Sequence, residues 1–158
     1  MMTGKTIRLY LADGVPSGIL TAEIINWTGK VVVAPRSRLA ELGKRDEAKR
    51  TGIYLLIGSD PESPSQDRVY IGEGDNVFTR IKKHDSDEAK DFFTRVILIT
   101  SKDDNLTKSH VRYLESRLIK SVQHSEAEPP LQMEQLILPH LSLSQMSLIW
   151  SSFLVRFK

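Results

Sequence analysis

Two short apolar runs, GIYLLIG (52–58) and RVYIG (68–72), stand on either side of a polar, proline-bearing stretch, SDPESPSQD (59–67). Each run is bounded by glycine and carries β-branched or aromatic residues, so the pair predicts an antiparallel hairpin with a wide loop. A third run of the same kind, RVILIT (95–100), follows a helical pattern. Residues two apart in a strand share a face. Ile53, Leu55 and Ile57 therefore lie together, as do Val69 and Ile71, and Tyr54 and Tyr70 look the other way. If the aliphatic faces meet the core, both phenols point to the opposite side of the hairpin. Two amphipathic tyrosines can close the edge of a core, or they can be held for chemistry; the strands by themselves leave both readings open.

The segment after the hairpin adds polar groups in a pattern. Gly72 and Gly74 permit close approach of backbone to another group. In DNVFTRIKKH (75–84), Asp75 or Asn76 can cap a short helix whose Val77, Phe78 and Ile81 form an apolar stripe. Arg80 and His84 are four residues apart and share another face of it. The acidic DSDEAKDFFT (85–94) extends or follows this helix. TKSHVRYLESRLIKSV (107–122) is amphipathic, with Val111, Leu114, Leu118 and Val122 along one side. Glu115 sits at the border of that stripe rather than opposite it. A carboxylate there either reaches out from the edge or is held for a purpose.

The flanks read differently. IRLYLADG (7–14) alternates as a strand with one buried face. SGILTAEIINWTG (17–29) places Leu20, Ile24 and Trp27 at helical spacing with Gly29 at the end, which predicts a helix. KVVVAP (30–35) is a strand stopped by Pro35. SRLAELGKRDEAKR (37–50) is a polar helix with Ser37 as cap, bent near Gly43. Beyond Pro129 the chain is rich in Leu, Ile and Met, but Glu134, Gln135, Pro139 and His140 interrupt it well short of the roughly 20 apolar residues of a membrane span. This tail is expected to pack on the body or on a partner, or to drive self-association into a homo-oligomer.

The order GIY at 52–54, YIG at 70–72, an arginine on the next helix and a glutamate on a later one resembles the GIY-YIG nuclease superfamily, over residues 50–123. The resemblance implies an α/β protein of α+β type with a small three-stranded antiparallel sheet flanked by helices. Around it lie an N-terminal α/β extension (1–48) and an apolar C-terminal tail (126–158), the nuclease-like domain being 49–125. It implies a divalent-metal-dependent endonuclease that hydrolyses DNA phosphodiesters. Tyr54, Tyr70, Arg80, His84 and Glu115 would be the catalytic residues, and Glu115 the protein ligand of Mg²⁺ or Mn²⁺. Gly72, Lys82 and Lys83 would meet the substrate.

The residue types suit that chemistry. A hard cation keeps most of its waters and can be held by one carboxylate. A guanidinium matches phosphate oxygens and stays charged. Either Tyr54 or His84 serves as base: a free phenol has a pKa of about 10 and needs help to ionise, whereas imidazole titrates near neutrality. Tyr70 would bond the phosphate.

Arg36, Arg38, Lys44, Arg45, Lys49 and Arg50, with Lys82, Lys83 and Lys90 further on, could contact DNA phosphates. Glu41, Asp46 and Glu47 could equally neutralise the first six. The net charge is only +2, compatible with a polyanion partner without requiring one. The chain has no cysteine, which excludes disulfides, thiolate zinc sites and cysteine nucleophiles. The first residues show no apolar leader, so a cytoplasmic setting without membrane attachment is expected. A second reading keeps the fold without the chemistry, as a catalytically inactive module binding nucleic acid or a protein. It draws on the lack of any asparagine after Asn105, where the family commonly has one.

Overall fold

In a computed structural model of the chain, residues 6–25, 28–103 and 106–125 are described. Three strands come first: β1 (Ile7–Leu11), β2 (Leu20–Ile24) and β3 (Gly29–Pro35). A short helix α1 (Leu39–Leu42) lies between 3₁₀ turns at Arg36–Arg38 and Asp46–Lys49. The hairpin β4 (Gly52–Ser59) and β5 (Asp67–Gly74) leads into α2 (Val77–Asp85), a 3₁₀ turn at Glu88–Lys90, β6 (Arg95–Ser101) and α3 (Lys108–Ser125). The chain divides into two compact units, Met1–Val111 and Arg112–Lys158, and the whole sheet belongs to the first.

The sheet has six strands, not three, in the order β1-β2-β3-β6-β4-β5, every neighbouring pair antiparallel. The expected separate sheet of β4, β5 and β6 does not form: β3 pairs with β6 along seven residues and carries β2 and β1 into the same sheet. A Val-rich segment such as VVVA is buried on both sides, and an unpaired edge there would leave backbone groups dry and unsatisfied.

The helix expected around Leu20 is strand β2 instead. Ile19 just before it and its own Leu20, Thr21 and Ala22 are all buried, so both faces are covered and no two-residue alternation shows. The i, i+4 spacing of Leu20 and Ile24 was a coincidence of composition. The expected continuation to Trp27 lies outside the described residues. Ser37 does not cap a long helix: the segment breaks into the two 3₁₀ turns and the single turn of α1. β1 is a strand as expected, but an edge one, with Leu9 exposed rather than buried.

Register places Tyr54, Leu56, Leu98, Val96, Val32 and Ala34 on one face of the sheet. Leu39 and Leu42 of α1 and Val77 and Ile81 of α2 pack there, forming one core with Tyr54 inside it. The other face, with Ile53, Ile57, Ile99, Val31 and Val33, is buried too. The expectation that the phenols turn away from the core is therefore corrected. They do share a side, but it is the side that α2 covers. The tail beyond residue 125, with its expected packing or self-association, lies outside the described residues. Among those residues no helix is long and apolar enough to cross a membrane.

Candidate functional site

Tyr54 pairs across the hairpin with Gly72, and Tyr70 pairs with Leu56. A side chain at position 72 would collide with the Tyr54 phenol. Glycine there lets the ring lie flat across β5 instead of standing off the sheet. Gly74 serves the stem of Arg80 in the same way, since an added methyl group would sit 2.9 Å from the arginine Cγ. Tyrosine and glycine occur together on these two strands for this packing reason.

α2 is capped by Asn76, whose Oδ1 accepts the Thr79 N–H at 3.1 Å. Its buried Val77 and Ile81 fix its rotation on the core, and that rotation turns His84 towards the tyrosines. The Tyr54 hydroxyl and His84 Nε2 lie 2.7 Å apart. The Tyr70 ring meets the His84 ring edge-on, centroids 5.0 Å apart, and the two tyrosine rings are 6.2 Å apart. Lys90 closes the group, its ammonium 3.7 Å above the Tyr70 ring, a cation–π contact.

Burial differs across this cluster. Tyr54 is 2% exposed, while Tyr70 and His84 are half-buried. The His84 pKa is pushed below its ordinary 6.5, first by burial, then by Lys90, and further by Arg80 and Lys83, with Asp87 opposing. The imidazole is thus held neutral at pH 7, within the field of three cations. Sequence reasoning put Arg80 and His84 on one helix face but gave no sign of the Tyr54–His84 bond. Lys90 was visible only as one basic residue among many.

The remaining sequence-predicted residues divide clearly. Arg80 is exposed; it and Lys108 line a cleft of about 190 Å³ at the start of α2. Lys82 and Lys83 are exposed on α2. Gly72 is buried beneath Tyr54, where its part is to seat the ring. Glu115 is half-buried on α3, in the second unit.

Most of the basic cluster at 36–50 is turned inward to the protein's own acceptors. Arg36 donates to Asp85 at 2.7 Å and Asp91 at 2.8 Å, and stacks on Phe93 at 4.3 Å. Arg38 makes two 2.9 Å bonds to Glu41, and Arg50 donates to the Ser101 and Lys102 carbonyls. Arg45 and Lys30 pair with Glu47. The expected neutralisation by Glu41 and Glu47 holds for Arg38 and Arg45, whereas Arg36 is held by Asp85 and Asp91 and Arg50 by main-chain carbonyls; Lys44 and Lys49 are exposed.

Among the described residues no group of three or more His, Cys, Asp or Glu converges as a metal cage. The donor the sequence offers, a single carboxylate at Glu115, suits a hydrated hard cation that keeps its own waters. Comparison with protein-family models, curated proteins and solved structures finds no match for this chain.

Proposed function

We propose that the protein is a divalent-metal-dependent DNA endonuclease of the GIY-YIG type, hydrolysing phosphodiester bonds. The observation that carries this reading is the 2.7 Å contact between Tyr54 and a neutral His84, set among Arg80, Lys83 and Lys90. A neutral base ringed by fixed cations is what hydrolysis of an anionic ester requires.

Burial divides the work between the two residues. Tyr54 is enclosed, so its phenol is a positioning group, whereas His84 reaches solvent. In the tautomer whose Nε2–H donates to the phenol oxygen, the Nδ1 lone pair takes a proton from the attacking water. Arg80 and Lys83 hold phosphate oxygens by charge and hydrogen bonding. Lys90 steadies Tyr70, whose hydroxyl is directed to the substrate. Glu115 would hold Mg²⁺ or Mn²⁺, which when bound supplies Lewis acidity at the phosphate. DNA is gripped through its backbone, so binding is expected to be insensitive to sequence and sensitive to salt.

Conversion of supercoiled plasmid to nicked circles, with and without Mg²⁺ or Mn²⁺, tests the reading. Cleavage should depend on the metal and fall about 100-fold or more in His84→Ala, Arg80→Ala and Glu115→Gln. Tyr54→Phe should retain part of the rate. DNA binding with no cleavage under any divalent metal would overturn the enzyme in favour of the silent module. Cleavage indifferent to His84 and Arg80 would overturn the site.

A further inference from the structure

The two edges of the sheet are β1 and β5, and they are guarded differently. β5 carries Asp67, Arg68 and Glu73 along its length, the charged residues that discourage a new strand from adding. β1 reads IRLYL, with one charge, no proline and an unbroken five-residue ladder to β2, so no bulge twists it away. Leu9 is 61% exposed and Tyr10 59%. The apolar side chains stand out on both faces of an edge that no other strand pairs among the described residues.

The direction of the backbone groups can be read from the bonds to β2. Ile25 N–H donates to the Thr6 carbonyl at 3.1 Å, and Ala12 N–H donates to the Ile19 carbonyl at 2.8 Å. In an antiparallel ladder, residues alternate between bonding one neighbour and facing the other. Thr6, Arg8, Tyr10 and Ala12 thus bond inward to β2. Ile7, Leu9 and Leu11 present their N–H and C=O groups outward.

We infer that β1 is a self-pairing edge, which joins a second copy of this chain antiparallel across a two-fold axis at Leu9. Two outward residues must face each other, and the register that overlaps the whole strand sets Leu9 against Leu9 and Ile7 against Leu11. These three hydrogen-bonded pairs exchange two bonds each. Arg8 then falls opposite Tyr10 of the other copy in the closer, non-bonded pairs, where a guanidinium and a phenol ring attract. One face of the junction is wholly aliphatic and the other pairs a cation with an aromatic ring, twice over. A two-fold contact demands this self-complementarity, and this five-residue palindrome of character supplies it. The site around Tyr54 lies toward the other end of the sheet order, on β4 and β5.

Sedimentation equilibrium of the full chain over a wide concentration range, paired with amide hydrogen exchange, is the test. The full chain should show a monomer–dimer equilibrium. Leu9→Lys should weaken it at least ten-fold. Leu9→Pro should do the same, because the N–H it removes makes no bond to β2. Far-UV circular dichroism should be unchanged for both, and Tyr10→Ala, a milder variant, should weaken the dimer without touching the ladder. In exchange, the amides of Ile7, Leu9 and Leu11 should gain protection with concentration, while those of Arg8 and Tyr10 stay protected throughout. A chain that is monomeric at hundreds of micromolar overturns the inference. So does a dimer that persists in Leu9→Lys with the three outward amides unprotected.

Discussion

At the residue scale, the cluster turns on the protonation of one imidazole. The folded pKa of His84 lies below 6.5, so the unfolded chain binds the proton more readily. Its burial therefore costs no stability above pH 6.5 and an increasing amount as pH falls through the folded value. The same shift sets activity: a base must be neutral, so the acidic limb of the cleavage rate should fall below pH 6.5. Lys90→Met removes the largest of the neighbouring positive charges that depress it. In that variant the limb should move to higher pH, measured as the pH–rate profile of plasmid nicking. Arg80 and His84 were legible as neighbours, because helical spacing is local. The bond to Tyr54 was not, since 30 residues separate the partners and only the docking of α2 brings them together.

At the element scale, α2 is the part on which the site depends, and its start is set by one side chain. Asn76→Ala removes the cap to Thr79 and should cost about 1 kcal/mol, seen as a lower midpoint in urea denaturation. Asn76→Asp should keep most of it. β5 depends on Gly72 in a different way. Gly72→Ala forces the Tyr54 ring away from β5, so it should destabilise by about 1–3 kcal/mol and lower the cleavage rate with it. The strands β4, β5 and β6 and the helices α2 and α3 were legible because each carries its own period and its own stop signals. β2 was misread because a strand covered on both faces has no alternation to read. The chance spacing of Leu20 and Ile24 then spoke louder.

At the scale of the whole molecule, β3 is tied to the turn that precedes β4 by a partly buried ion pair. Glu47 lies against Lys30 of β3 and Arg45. Burial raises its pKa, but the hydrogen bonds from Lys30 and Arg45 outweigh that and bring it from 4.5 to about 2. Its contribution is therefore full above pH 4.5 and lost as pH falls towards 2. Glu47→Gln should lower stability at pH 7 by about 1–2 kcal/mol, allowing for partial screening. The gap from the parent chain should close in acid unfolding below pH 3. Such links join residues far apart along the chain, as does the β3–β6 pairing that makes one six-stranded sheet. What the sequence determined by itself was local: that the runs of β1, β3, β4, β5 and β6 are strands, where α2 starts, that the two tyrosines share a side, and that cysteine chemistry is absent. Which side of the sheet the phenols occupy, that His84 meets Tyr54, and that six strands form one sheet were decided by packing. Those choices compare the burial of whole surfaces, and no window along the chain contains both partners.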